Sequence, residues 1–346
     1  MHLSKIASGL GLLASVASAV PHAKVAARSN STSTPQTVVY WGTNGAGATE
    51  NNDLSTYCEN NAGIDVIVLS FLYEFGNGQE IPSGVIGNSC FVSTTGAPQE
   101  CDNVAQSIPK CQEAGIKVIL SLGGASSSYT LTSQAEAESI GQYLWESYGG
   151  SGNTTVERPF GNATVDGWDF DIELSEGQQY YQYMISKLRS NFASDSSKTY
   201  YITGAPQCPV PEPNMGVIIG NATFDYIWIQ FYNNNNYAPD PCSLGYNGGA
   251  PFNYNDWVKY IADTPSKDAK LFVGVPASTL GANGNTGGAE YYITPAELAT
   301  LVSQTKGNST FGGVMMWDAG YSDSNTNNGC TYAQESHSIL TTGSPC

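Results

Sequence analysis

Asp166-Gly167-Trp168-Asp169-Phe170-Asp171-Ile172-Glu173 alternates carboxylates at 169, 171 and 173 with Trp, Phe and Ile. A period of two is a strand, and it sends the three carboxylates to one face and the large apolar groups to the other. Carboxylates two apart on a strand stand about 6–7 Å from each other. A purely structural strand does not line them up, because neighbouring buried carboxylates repel and desolvate one another. The arrangement is stable when one or two keep a proton with their pKa values driven apart, which is how a general acid is held protonated. A calcium loop would place a glycine next, whereas Leu174 follows Glu173 and the interleaved residues are bulky and apolar. A solvated acidic face is excluded by the same interleaving.

Working outward, similar short runs recur at Thr37–Trp41, Val66–Phe71, Lys117–Ser121, Gly167–Asp171, Tyr200–Gly204, Tyr226–Gln230, Leu271–Pro276 and Gly313–Trp317. Most are apolar almost throughout, as parallel strands buried on both faces are. Helix-like stretches lie between them at 50–62, 102–114, 132–147, 175–193, 254–263 and 295–306, with a weak one near 212–220. Eight strands alternating with helices predict an α/β fold, a (β/α)8 TIM barrel with Glu173 at the strand end where such barrels place catalytic groups. A doubly wound sheet is the rival, but the glycines of 41–47 do not fit its phosphate fingerprint. Residues 72–100, with Cys90, read as a long loop or hairpin. Between Pro276 and Gly313 lie 36 residues, and a helix takes about a dozen of them. That leaves no room for a large α+β insertion, so residues 35–346 read as one domain.

Composition narrows the chemistry. The chain of 346 residues holds 13 Lys+Arg, 30 Asp+Glu and three histidines, His2, His22 and His337. With no histidine across 23–336, Ser-His-Asp triads, Cys-His pairs and HExxH zinc sites are excluded. A net charge of −17 argues against nucleic acid or an anionic membrane surface as partner. No cofactor or metal pattern is present. Lys5, the apolar run Ile6–Val16 and the small-residue end Ala17-Ser18-Ala19 predict a signal peptide over 1–19, and hence secretion. Residues 20–34 read as an unfolded pro-segment or tether. Eight cysteines in a secreted chain imply disulfides, with 105 formal pairings. Sequons at Asn30, Asn153, Asn162, Asn221 and Asn308 fit a glycoprotein.

The octet 166–173 resembles the D-G-x-D-x-D-x-E signature of glycoside hydrolase family 18, the chitinases. Tyr40-Trp41-Gly42, Ser121-Leu122-Gly123-Gly124, Ala205-Pro206-Gln207-Cys208-Pro209, Gln230-Phe231-Tyr232-Asn233 and Gly313-Val314-Met315-Met316-Trp317 fit the family in order. The likeness is to its single-domain branch of plant class III and smaller fungal enzymes; Thr43 departs from that branch, which usually has Gln after YWG. The resemblance implies that Glu173 is the general acid and base and that the substrate's own acetamido group is the nucleophile. It implies that Asp171 orients that group, that Asp169 shares a proton with Asp171, and that Tyr232 bonds the acetamido oxygen. Trp317 would form a sugar-stacking floor, with Tyr40, Phe71 and Gln230 lining the same subsite and Gly124 allowing backbone approach. It further implies cis peptides at Ser70–Phe71 and Trp317–Asp318. It also implies disulfides Cys58–Cys111, Cys90–Cys101 and Cys208–Cys242, which leaves Cys330–Cys346 as a C-terminal clamp. The expected enzyme is a monomeric, extracellular, endo-acting chitinase on chitin or chitooligosaccharides. Two alternatives are an endo-β-N-acetylglucosaminidase acting on N-glycans and a non-catalytic binding or inhibitor relative. The latter would be expected to have lost Glu173, Asp171 or Tyr232.

Overall fold

The computed structural model describes residues 34–346 apart from 44, 47–49, 51, 60 and 127. The expected leader 1–19, residues 20–33 of the expected tether and the Asn30 sequon lie outside the described residues. Eight parallel strands form the centre: β1 (Gln36–Trp41), β2 (Val66–Gly76), β3 (Lys117–Gly124), β4 (Gly167–Ile172), β5 (Tyr201–Gly204), β6 (Tyr226–Gln230), β7 (Lys270–Pro276) and β8 (Phe311–Trp317). Each pairs with the next in chain order, and β8 returns to β1 in register Gln36↔Gly313 through Val39↔Met316, so the sheet closes into a barrel. Val38, Tyr40, Val66, Val68, Trp228 and Phe272 pack in one cluster, while their chain neighbours Val39, Trp41, Ile67 and Leu69 join the larger cluster with helix residues. That two-sided burial is why the strands read as unbroken apolar runs. Each fully buried large side chain contributes about 1.5–3 kcal/mol of transfer free energy.

The helices outside are α1 (Asp102–Glu113), α2 (Gln134–Tyr148), α3 (Tyr181–Phe192), the short α4 (Gly216–Asn221), α5 (Tyr254–Ala262), α6 (Pro295–Thr305), α7 (Ala319–Ser324) and α8 (Tyr332–Thr342). Local chemistry sets their starts. Thr294 and Glu297 make a reciprocal capping box at α6 with Pro295 in the first turn, and Thr331 and Gln334 do the same for α8. Between β7 and β8 stand one 3-10 turn (Thr286–Tyr291) and α6, with no further module.

The N-terminal end of the barrel carries a repeated device. Asp65, Asp166 and Asp225, each the residue immediately ahead of β2, β4 and β6, accept backbone N–H bonds from Thr37, Val118 and Ile202 of the preceding strands at 2.7, 2.8 and 2.9 Å. Asp166 also pairs with Lys198 at 2.9 Å. The first acid of the octet is therefore a staple that fixes strand register, far down the strand from the chemistry.

Three parts of the fold differ from the sequence expectation. Among the described residues of 50–62, the one helical element is the 3-10 turn Leu54–Cys58, capped by Asp53. The segment is rich in Asn and Asp, whose side chains compete for backbone bonds and disfavour a full helix. The 72–100 excursion is neither a loop nor a single hairpin. β2 runs on to Gly76, turns at Asn77-Gly78 with φ of 52° and 94°, and is followed by antiparallel strands Gln79–Ile86, Cys90–Val92 and Pro98–Gln99. Both central residues of that turn are left-handed, the geometry that favours Asn-Gly. After β8, the unanticipated α8 packs on β1, placing Ser336 Oγ 3.5 Å from Thr37 Oγ1. The cysteines form Cys58–Cys111, Cys90–Cys101, Cys208–Cys242 and Cys330–Cys346. Non-proline cis peptides occur at Ser70–Phe71 and Trp317–Asp318.

Barrel closure depends on a backbone contact with no room for a side chain. Gly313 has φ of +140°, and a Cβ there would lie 1.9 Å from the Gln36 carbonyl oxygen. Gly313→Ala is expected to lower stability by about 1–3 kcal/mol, read as a fall in the urea midpoint; an unchanged midpoint would refute this account of closure.

Candidate active site

Period-two alternation carries Asp169, Asp171 and Glu173 up one face of β4, and the partners of each differ with height. Asp169 is completely buried. Its Oδ2 accepts hydrogen bonds from the hydroxyls of Tyr40 (2.8 Å) and Ser121 (2.7 Å), and its Oδ1 accepts from Thr203 Oγ1 (2.6 Å) and Trp228 Nε1 (2.8 Å). These donors come from β1, β3, β5 and β6. Burial pushes the carboxyl up, and the four donors pull it back down. A hydrogen bond to a charged group is worth about 1.5–3 kcal/mol, so four offset a desolvation cost of several kcal/mol. The four acceptor sites of a carboxylate are then filled. Every acceptor site of Asp169 is thus met by a neutral donor, while burial keeps the carboxyl raised on balance.

Asp171 stands one pleat higher. Its Oδ1 accepts from Gln230 Nε2 at 3.0 Å, and the same amide nitrogen reaches the Ala205 carbonyl at 2.8 Å. Burial first, then the charges of Glu173 and Asp169, drive the Asp171 carboxyl well above the usual carboxylate range. Glu173 is raised by burial and partly relieved by Gln230. Asp171 and Glu173 thus face one cavity in which both cannot ionise together.

That cavity, of about 280 Å³, opens at the C-terminal end of the barrel and is lined by Tyr40, Asp171, Glu173, Gln230, Tyr232 and Trp317 among others. Burial, then Asp171, Glu173 and Asp318, keep the Tyr232 phenol protonated and hence a donor. Trp317 and Tyr40 are tilted rings 5.6 Å apart. Phe71 and Gly124, expected in the same subsite, do not line the cavity. Phe71, half-buried, stacks on Trp317 with ring centroids 6.0 Å apart. Gly124 has φ of +78°, and a Cβ there would meet the Phe71 ring at 3.0 Å, so the glycine serves packing between these elements. Thr43 donates to Asp318 Oδ2 at 2.5 Å, tying the β1 loop to the residue after Trp317.

Several residues of the site were not singled out from sequence. Trp228 and Gln230 share one face of β6, so with Gln230 implied by the resemblance the strand period extends the site to Trp228. Gln207 and Asn233, in the cavity wall, lay within quoted motifs. Asn283, also in the wall, comes from the loop after β7 and gave no local signal. Nor did Tyr129. Its hydroxyl donates to the Gly124 carbonyl at 2.8 Å and accepts the Glu173 backbone N–H at 2.9 Å, and the residue is 2% exposed. One phenol thus pins the ends of β3 and β4 where the acid emerges. Behind the wall, buried Glu212 accepts the N–H groups of Gln207 (3.2 Å), Asn214 (2.8 Å) and Met215, and burial still pushes it up to about 7.

With this geometry in view, the comparisons are informative. The family model for glycosyl hydrolases family 18 matches residues 36–309. The chain belongs to glycosyl hydrolase family 18. Among its relatives, an "Endochitinase 2" of Metarhizium robertsii is 60% identical over 348 residues, covering all of this chain and 83% of that protein. Solved structures match over most of the chain. A chitinase from Ipomoea carnea matches at 29% identity and TM-score 0.70, covering 88% of this chain and 98% of its own. A xylanase and alpha-amylase inhibitor from Scadoxus multiflorus matches equally well, at 29% and 0.70, covering 90% and 99%. A protein named as an inhibitor shares this barrel, so fold alone does not decide activity and the site must.

Tyr129→Phe removes both bonds of the hydroxyl and leaves a buried N–H at Glu173 unpaired. It is expected to lower kcat by about tenfold, from a loss of about 1–3 kcal/mol, with KM nearly unchanged. A rise in KM at constant kcat would contradict the positioning of Glu173 by Tyr129.

Proposed function

We propose that the chain is a secreted, endo-acting chitinase that hydrolyses β-1,4-linked N-acetylglucosamine polymers with retention, by substrate assistance. The observation that carries the mechanism is the placement of acids. Among the described residues lining the cavity, the carboxylates are Asp171 and Glu173, neighbours on one strand face. No second carboxylate faces them across the cavity lining, where a two-carboxylate glycosidase needs its nucleophile or base. This placement supports the reading, implied by the family resemblance, in which the substrate supplies the nucleophile.

In this reading Glu173 gives its proton to the glycosidic oxygen as the C1–O bond breaks. The acetamido carbonyl oxygen of the same sugar attacks C1 and forms a cyclic oxazolinium ion. Asp171 holds the acetamido N–H and balances its developing positive charge, and Tyr232 donates to the acetamido oxygen. Water then attacks C1, Glu173 takes its proton, and the ring opens to the β-anomer. The proton held in the free site belongs to the Asp171–Glu173 pair, because the acceptor sites of Asp169 are filled. This revises the sharing with Asp169 that the resemblance implies.

Secretion through the 1–19 leader and glycosylation are part of the proposal. Asn162 and Asn221 are exposed, and Asn153 and Asn308 are half-buried in local turns. Short connections after β7 leave the groove without an added wall, which favours internal cleavage. The relative from Metarhizium robertsii supports chitinase over an N-glycan endoglycosidase, and the intact site argues against a non-catalytic role.

The deciding experiment is chitohexaose hydrolysis by wild type and Glu173→Gln, with the product anomer followed by NMR. We expect an initial β-anomer and a loss of about 10²–10⁴-fold in the variant; an initial α-anomer or an active variant would overturn the mechanism. Tyr232→Phe should cost about 10²–10³ in kcat, as loss of one preorganised donor does. The charge of Asp169 raises the Asp171 carboxyl, so Asp169→Asn lowers it. The basic limb of the kcat/KM profile should therefore move to lower pH, and a shift to higher pH would contradict the assignment.

A further inference from the structure

Glu136, in the first turn of α2, is a buried carboxylate that the catalytic steps leave out. One of its oxygens accepts the backbone N–H of Gly78 at 2.7 Å, and the other accepts the N–H and the hydroxyl of Thr132 at 2.7 and 2.9 Å. Burial raises the carboxyl, but the bonds from Gly78 and Thr132 outweigh it and hold the group below its ordinary range. The helix start has its own cap, Ser133, whose Oγ accepts the Glu136 N–H at 3.1 Å. In a capping box a Glu at this position closes on the cap residue itself. Here the carboxylate reaches one residue further back, to Thr132, and across to the Asn77-Gly78 turn.

The segments it joins lead to the acid. Residues 129–132 are pressed between that turn and the chain leaving β4. On the side of the turn, the Thr130 N–H donates to the Phe75 carbonyl at 3.2 Å, and the Phe75 and Tyr129 rings stack at 5.2 Å. The approach is so close that a Cβ on Gly76 would lie 1.6 Å from the Thr130 carbonyl oxygen. On the side of β4, Thr130 Oγ1 donates to the Glu176 carbonyl at 3.2 Å, and a Cβ on Gly177 would lie 2.4 Å from the Leu131 carbonyl oxygen. Tyr129 carries the contact inward, with its hydroxyl on the Gly124 carbonyl and the Glu173 N–H. Segments in such direct contact form a contiguous path along which a displacement is passed on.

We infer that Glu136 is a positioning residue for Glu173: its carboxylate clamps the hairpin turn to residues 129–132 and so sets where Tyr129 holds the Glu173 backbone. The inference rests on the reading of Glu173 as acid and base. Glu136 touches no substrate; its effect reaches the reaction through the Tyr129 hydroxyl.

The test is a double-mutant cycle on chitohexaose hydrolysis, with kcat and KM read separately. Glu136→Gln should lower kcat by about three- to tenfold with KM changed less than about twofold, a part of the roughly 10²-fold that a misplacement of about 1 Å costs. In the Tyr129→Phe background the same substitution should change kcat by less than about 1.5-fold, because the link it works through is gone. Ser133→Ala weakens the cap of the same helix and leaves the three bonds of the carboxylate in place, so it should lower the urea midpoint with kcat unchanged. Should Glu136→Gln fail to fold, Thr132→Val removes the hydroxyl bond alone; it should lower kcat by about twofold, again only where Tyr129 is intact. An unchanged kcat, a loss of the same size in both backgrounds, or an equal loss in Ser133→Ala would overturn the inference. A wild-type chain that does not cleave chitohexaose would overturn the chitinase reading itself, and the inference with it.

Discussion

The anion at Asp169 is the constraint on which the rest of the structure turns. A carboxylate sealed in a barrel interior survives only if its lone pairs are filled, and here four strands each contribute a donor. The cost of burial is thereby converted into a geometric requirement: β1, β3, β5 and β6 must close around one point. The same charge then acts upward. Burial and then Glu173 do most to oppose ionisation of Asp171, and the charge of Asp169 adds to them, so the pair holds a proton more tightly than free carboxylates do. Asp169 thus contributes both to closure of the fold and to the electrostatics of the cavity.

Strand β4 and the residues flanking it divide their acids by height. Asp166 at the bottom bonds backbone and Lys198 and behaves as an ordinary structural carboxylate. Asp169 in the middle has a donor for every lone pair. Asp171 and Glu173 at the top face the cavity with fewer donors. Tyr129, from the loop after β3, and Gln230, at the end of β6, stabilise this upper level, one through the Glu173 backbone and the other through the Asp171 carboxylate. A motif that looks uniform as sequence is therefore a gradient from structure to chemistry.

Much of this was legible in the chain because period-two alternation and two-sided burial leave unmistakable patterns. Every barrel strand was placed within a few residues, and the cavity holds Tyr40, Asp171, Glu173, Gln230, Tyr232 and Trp317 as expected. The partners of Asp169 were not legible as a set, since they lie 34 to 129 residues away and meet only through closure. Tyr129 sits in an irregular loop, where no periodicity reports which way a side chain points. The 50–62 segment misled because its spacing looks helical while its Asn and Asp content favours turns. The Asn77-Gly78 turn and the Thr331-x-x-Gln334 cap, by contrast, carried readable signals for the extra strands and for α8.

The central claim is that Asp169 is ionised and the stored proton lies on the Asp171–Glu173 pair. Neutron diffraction from a deuterium-exchanged crystal grown near neutral pH locates that proton directly. The account predicts deuterons on the Tyr40, Ser121 and Thr203 hydroxyls pointing at Asp169, none on its own oxygens, and one on Asp171 or Glu173. A deuteron on an Asp169 oxygen, with Asp171 and Glu173 both bare, would contradict it.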